Sequence, residues 1–236
     1  MPARSPYTCV LWDVDGTIVD ASDGILRRLG IVLEHFGHAA PTRADLVHWI
    51  GPPMFDSFQD NVGMTPKQSA EAVTYYRTVG KADGYTTGAH LFPGIAALIG
   101  EVAAAGIPQA TASSKPEVQV VALMEHFALA GRFEALAGST PDEKTLATKA
   151  DVIGEALRRL RVAGADISRP VLIGDRHHDI EGAAEHGIPV IFVRWGFSAP
   201  DEANGAAAVV QTVAELRALL LQDAAIPAHA TAHGDG

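Results

Sequence analysis

The feature that most constrains this chain is the run Cys9-Val10-Leu11-Trp12, which ends abruptly in Asp13-Val14-Asp15-Gly16-Thr17. Four consecutive apolar residues before such a polar turn fit a strand covered on both faces, as in a parallel sheet. Further short apolar runs lie at 107–113, 133–138, 171–174 and 190–193, with helix-period patterns between them at 95–105, 116–127, 144–161 and 180–186. This alternation predicts an α/β fold, a doubly wound, Rossmann-like parallel sheet with helices on both faces. The run at 107–113 is the least regular, because Pro108, Gln109 and Thr111 dilute its apolar character.

Residues 20–89 break the alternation. They carry three helical stretches, at 24–36, 42–50 and 65–79, and no strand pattern, so they read as an inserted all-helical cap. Gly80, Gly84, Gly88 and Pro93-Gly94 near its exit suit a hinge. The expected organisation is an α/β core from 1–19 and 90–222, a helical cap at 20–89 and a disordered tail at 223–236, where Ala, His, Gly and Asp show no period. His229 and His233 in that tail read as incidental rather than as a metal site.

With 236 residues and 47% hydrophobic content, the chain can bury one substantial core and a smaller second unit. A formal charge of −10 without a dense Lys/Arg run argues against nucleic acid or an anionic membrane as the main partner. No apolar segment reaches the roughly 18 residues of a membrane span, and residues 1–8 show no targeting pattern. Cys9 is the only cysteine, which excludes an intrachain disulfide and fits a reducing cytoplasm.

Asp13 and Asp15 lie two apart at the carboxyl end of the first strand, where open α/β sheets bind ligands. Carboxylates so close raise each other's pKa unless a cation sits between them. Gly16 lets the backbone turn and approach a ligand, and Thr17 offers a hydroxyl and an N–H to an oxyanion. A second constellation, Gly174-Asp175-Arg176-His177-His178-Asp179, also follows a strand. There Asp175 can reach a metal held beside strand one, and Asp179 can brace it or a coordinated water. Hard oxygen ligands favour Mg²⁺ over zinc, and adjacent His177 and His178 are expected to point apart. Ser113-Ser114-Lys115-Pro116 places hydroxyls and N–H groups at a helix start, where a phosphate binds. Lys149 sits near the start of a helix, against the dipole, which points to a role in countering phosphate charge; Lys144 is the other candidate.

Taken together, these stations resemble the haloacid dehalogenase superfamily, in its phosphoglycolate phosphatase-like branch with a helical cap inserted after strand one. The resemblance covers nearly the whole chain: Asp13 to Thr17, then Ser113, Lys149, and Gly174-Asp175 with Asp179. Phe92-Pro93-Gly94 and Gly51-Pro52-Pro53 are lesser echoes. It implies a magnesium-dependent phosphatase in which Asp13 attacks phosphorus and Asp15 acts as general acid, then base. Magnesium would be held by Asp13, the Asp15 carbonyl and Asp175. Ser113 and Lys149 would hold the phosphoryl oxygens, with Thr111 the alternative hydroxyl. Ser114, Pro52 and Pro53 would lie along the substrate. The substrate is expected to be a small phosphomonoester, the protein a monomer or homodimer. A nucleotide monophosphatase, a pyrophosphatase and a phosphosugar mutase use the same core chemistry. A receiver-like phospho-acceptor module would need neither the second Asp nor the cap.

Overall fold

The computed structural model describes residues 5–140, 146 and 148–222; the tail expected at 223–236 lies outside them. The strands are β1 (Cys9–Trp12), β2 (Val19–Asp20), β3 (His90–Leu91), β4 (Gln109–Pro116), β5 (Ala135–Ser139), β6 (Pro170–Gly174), β7 (Val190–Val193) and β8 (Ala208–Val210). The α-helices are α1 (Ser22–His35), α2 (Met54–Val62), α3 (Pro66–Asp83), α4 (Ile95–Ala104), α5 (Glu117–His126), α6 (Lys149–Val162), α7 (His177–Ala184) and α8 (Val213–Leu220). No helix among the described residues is long and apolar enough to cross a membrane.

All four residues of β1 are fully buried, at the middle of a parallel sheet ordered β5-β4-β1-β6-β7-β8. The period-two geometry of a strand divides them between two cores. Val10 and Trp12 join Ile99 of α4, Leu123 of α5 and Leu216 of α8. Cys9 and Leu11 join Ile153 and Leu160 of α6 and Ala183 of α7. The chain builds outward from β1 through β4 to β5, then returns to β1's other side with β6 and continues to β7 and β8. That reversal opens a crevice at the carboxyl ends of β4, β1 and β6.

The irregular strand is longer than its apolar run, and its polar residues have buried partners. Gln109, 1% exposed, accepts a hydrogen bond from Trp12 Nε1 at 3.0 Å and donates to the carbonyls of Ile99 (3.0 Å) and Arg132 (3.2 Å). Thr111 donates to the Ala137 carbonyl at 3.0 Å. These side chains tie β1, β4, β5 and α4 together, so polarity here marks a hub rather than a break.

Elsewhere the boundaries differ for local reasons. The stretch at 42–50 is a short 3₁₀ helix, Arg43–His48, and α2 begins directly after Pro53, where two prolines masked a helix start. α6 begins at Lys149, because Thr148 and Asp151 form a reciprocal cap, Asp151 N–H to Thr148 Oγ1 at 3.1 Å and Thr148 N–H to Asp151 Oδ2 at 3.0 Å. No element was expected at β8 and α8, although Leu216 and Leu220 stand at helix spacing, and β2 and β3, two residues each, are too short to show a period. That last pair lies antiparallel, Val19 beside Leu91 and Asp20 beside His90, at the entrance and exit of the helical segment.

Gln109→Leu should destabilise the protein by about 2 kcal/mol or more, because each buried group left without a partner costs about 1–3 kcal/mol. Urea unfolding measures this; a loss below about 0.5 kcal/mol would show that the hub does not hold the sheet together.

Candidate active site

Asp13 leaves β1 with its N–H still donating to the Ile173 carbonyl at 2.9 Å, so the β1–β6 ladder fixes its position one step beyond the strand. The chain then folds into a tight loop in which Ile18 and Val19 N–H groups both donate to the Val14 carbonyl, at 2.9 and 2.8 Å. Gly16 takes φ +86°, and its N–H donates to the Val19 carbonyl at 2.9 Å. Thr17 donates its N–H to the Val14 carbonyl at 3.3 Å and turns its hydroxyl to Asp175, 3.5 Å away. The expectation that Thr17 offers its N–H to an oxyanion is therefore corrected: the loop uses that donor to close itself. What the glycine supplies is clearance, since a Cβ at Gly16 would overlap the Asp175 carboxylate.

Four carboxylates and two lysines meet here. Lys149 Nζ lies 2.6 Å from Asp13 Oδ1 and 2.6 Å from Asp179 Oδ1, and Lys115 Nζ lies 2.6 Å from Asp15 Oδ2. Asp175, fully buried, accepts the Phe197 N–H at 2.7 Å, and Asp179 accepts the Arg176 N–H at 3.0 Å. Gly174 and Gly196 give room for these side chains, since a Cβ on Gly174 would strike Asp179 and one on Gly196 would strike Asp175. Burial raises the Asp13 pKa, the Lys149 ammonium pulls it down and Asp179 raises it again, with a net rise. Asp175 is held well above the usual carboxylate range by burial, then by Asp13 and Asp179. Burial disfavours the Lys149 charge, but Asp13 and Asp179 outweigh it and raise its pKa.

That electrostatic strain fits a cation. Ligand oxygens of Asp13, Asp175 and Asp179 all lie within 4.8 Å of one another, and the Lys149 ammonium pairs with only two of these buried carboxylates, Asp13 and Asp179. Asp15 Oδ1 is buried without a partner. An all-oxygen set of this kind suits a hard dication such as Mg²⁺. A second group, His177, His178 and Glu181, also brings its ligand atoms within 4.8 Å. The two rings lie with centroids 3.8 Å apart, where divergence was expected, because His177 opens the first turn of α7 and its Nδ1 is drawn to Glu202 at 3.1 Å.

Above the carboxylates lies a cavity of about 770 Å³. Asp13, Asp15, Ser113, Ser114, Lys149 and Asp179 line its sheet side, while Trp49, Ile50, Pro52, Pro53, Phe55 and Tyr76 line the side formed by the helical segment. Ser113 hydrogen-bonds Asp13, whereas the Thr111 hydroxyl is held by Ala137. Lys144 lies outside the described residues. Sequence reasoning passed over two further lining residues, Lys115 and Arg176. A cation directly after Ser113-Ser114 was the available signal for the first; Arg176 had none beyond its place beside Asp175.

The haloacid dehalogenase-like hydrolase family model matches residues 10–193. The tyrosine-protein kinase PtkA of Mycobacterium tuberculosis is 35% identical over 224 residues, spanning 93% of this chain and 74% of that protein. Its solved structure aligns with a TM-score of 0.76 over 91% of this chain and 97% of that one, at 32% identity. A 5'-nucleotidase of Pseudomonas aeruginosa is 34% identical over 83% of this chain and 86% of its own length. A phosphoglycolate phosphatase of Cupriavidus necator is 29% identical over 94% and 97%.

Gly16→Ala should be severe. A left-handed φ costs an ordinary residue about 1–2 kcal/mol, and the added methyl also displaces Asp175. Thermal unfolding together with an activity assay tests this; wild-type values for both would mean that the loop does not need the clearance.

Proposed function

Since this chain belongs to the haloacid dehalogenase-like hydrolase family, in its phosphoglycolate phosphatase-like branch, we propose that it hydrolyses a small phosphomonoester with magnesium, through an aspartyl-phosphate on Asp13. It is a phosphoric monoester hydrolase, and its substrate is a small-molecule phosphate. The observation that carries the mechanistic reading is the meeting of buried Asp13, Lys149 and Asp175 with half-buried Asp15 at the sheet's crevice.

Asp13 Oδ1 is held by Lys149, which fixes the carboxylate's orientation and compensates its charge. Asp13 attacks phosphorus, and Asp15 protonates the departing oxygen, then takes the proton of the hydrolytic water. Lys115, 2.6 Å from Asp15, positions that carboxyl group for both steps. Ser113 and Lys149 receive phosphoryl oxygens, and Ser114 and the Pro52-Pro53 loop border the leaving group. Magnesium, held by Asp13, Asp175 and the Asp15 carbonyl and braced by Asp179, would supply charge neutralisation where the phosphoryl group carries its negative charge. Residues 20–89 act as a cap that excludes water, and residues 1–19 with 90–222 form the core. The cytoplasm is the proposed location, and the active unit is a monomer or homodimer.

A second reading, a nucleoside monophosphate as substrate, is favoured by the aromatic roof of Trp49, Phe55 and Tyr76 and by the Pseudomonas relative. A panel of phosphoglycolate, nucleoside monophosphates and pyrophosphate separates the readings by kcat/KM. Transfer to a tyrosine hydroxyl, the activity in the mycobacterial relative's name, would appear in a parallel assay with ATP and a tyrosine-bearing protein as phosphate on the protein and ADP in solution.

Asp13→Asn should reduce turnover more than a hundredfold while the fold persists, and activity should vanish with EDTA and return with Mg²⁺. Turnover by the variant above about a hundredth of wild type, or full activity of the metal-free protein, would defeat the scheme.

A further inference from the structure

We propose that Arg176 binds an anionic group carried by the leaving group, so that this site takes phosphomonoesters whose leaving group bears its own carboxylate or phosphate. This rests on the phosphatase reading above and names the substrate class within it. Arg176 is 5% exposed and lines the cavity over Asp13, yet its Nη1 is buried without a partner. A buried guanidinium nitrogen with no acceptor is costly, and a ligand oxygen in the cavity would satisfy it.

The side chain is held ready. Its Nε donates to Glu202 Oε2 at 2.7 Å, and the same carboxylate accepts the N–H groups of His177 and Ala199, both at 3.1 Å. That clamp uses one edge of the guanidinium and leaves the other directed away from Glu202. Gly51, in the loop before Pro52, passes over this side with φ +116°; a Cβ there would lie 2.9 Å from Nη1. The loop thus crosses the guanidinium without covering it with a side chain.

The other cations lining the cavity are already committed. Lys115 faces Asp15, Lys149 is shared by Asp13 and Asp179, and Arg77 is engaged as well. Arg176 therefore has Nη1 available to donate to an oxygen of a second anion, a carboxylate or phosphate. His178 Nε2, also buried and without a partner, borders the same cavity and can add a polar contact. The positive charge needed for such a leaving group comes from the loop after β6, which faces a Gly51-Pro52-Pro53 stretch that carries no cation of its own.

The test compares kcat/KM for phosphoglycolate, pyrophosphate and p-nitrophenyl phosphate, with Mg²⁺, in wild type, Arg176→Gln, Arg176→Lys and Gly51→Ala. Hydrogen bonds to charged groups contribute about 1.5–3 kcal/mol, so Arg176→Gln should lower the ratio of an anionic substrate to p-nitrophenyl phosphate by about tenfold or more. Arg176→Lys, which keeps a charge beside Glu202, should fall between, and Gly51→Ala, whose Cβ would lie 2.9 Å from Nη1, should lower the ratio by displacing the guanidinium. The substrate whose ratio falls identifies the anion as carboxylate or phosphate. Equal losses on all three substrates in the folded variants would overturn the inference and leave Arg176 a structural residue. A wild type that hydrolyses p-nitrophenyl phosphate but neither anionic substrate would overturn it while the phosphatase reading stands. A wild type inactive on all three would remove both.

Discussion

The structure depends on one arrangement: Lys149 reaching from the first residue of α6 to both Asp13 and Asp179. Asp13 directly follows β1 and Asp179 belongs to α7, so a single ammonium ties the end of the central strand to two helices on one face of the sheet. Its position is unfavourable for a cation by the helix dipole alone, and two buried carboxylates reverse that preference. With Asp175 added, the cluster holds more negative charge than its lysine balances. Stability and the proposed chemistry are therefore coupled at this point, since the groups that strain the folded state are the groups to which the proposal assigns a cation and a phosphoryl group.

Much of the fold was legible because parallel strands buried on both faces need continuous apolar runs. Cys9–Trp12, Pro170–Gly174 and Val190–Val193 announce themselves that way. Where other physics decides, the reading loses definition. Gln109 looked like a defect in a strand, yet its buried side chain forms three hydrogen bonds whose partners are 10, 23 and 97 residues away. No local pattern reports partners so distant. Likewise, α2 hid behind Pro52 and Pro53, although proline is well tolerated just before and at the first turn of a helix.

The site was legible to a similar depth. Asp13, Asp15, Ser113, Lys149, Asp175 and Asp179 share a location because the strand order brings three strand ends together, and spacing in the sequence carries that order. Thr17 illustrates the limit. Its residue type suits an oxyanion, but the direction of its N–H follows from how the loop closes on Val14, which only the backbone path reveals. Arg176 illustrates the converse: nothing in its type distinguishes it from any surface arginine until Glu202 and Gly51 are seen around it.

The paired crossings at β2 and β3 have a mechanical consequence. Both connections between the helical segment and the sheet run side by side, hydrogen-bonded to each other, and the first begins only three residues after Gly16. Such a ribbon resists shear between its two strands but bends across its width, so tilting of the helices has one easy axis. The Asp15 loop lies at the foot of that axis, joined to Val19 through the Gly16 N–H. Displacement of the roof and reorientation of the Asp15 carboxyl group are then ends of one short lever, and what presses on the roof is felt first at the Asp15 side of the site.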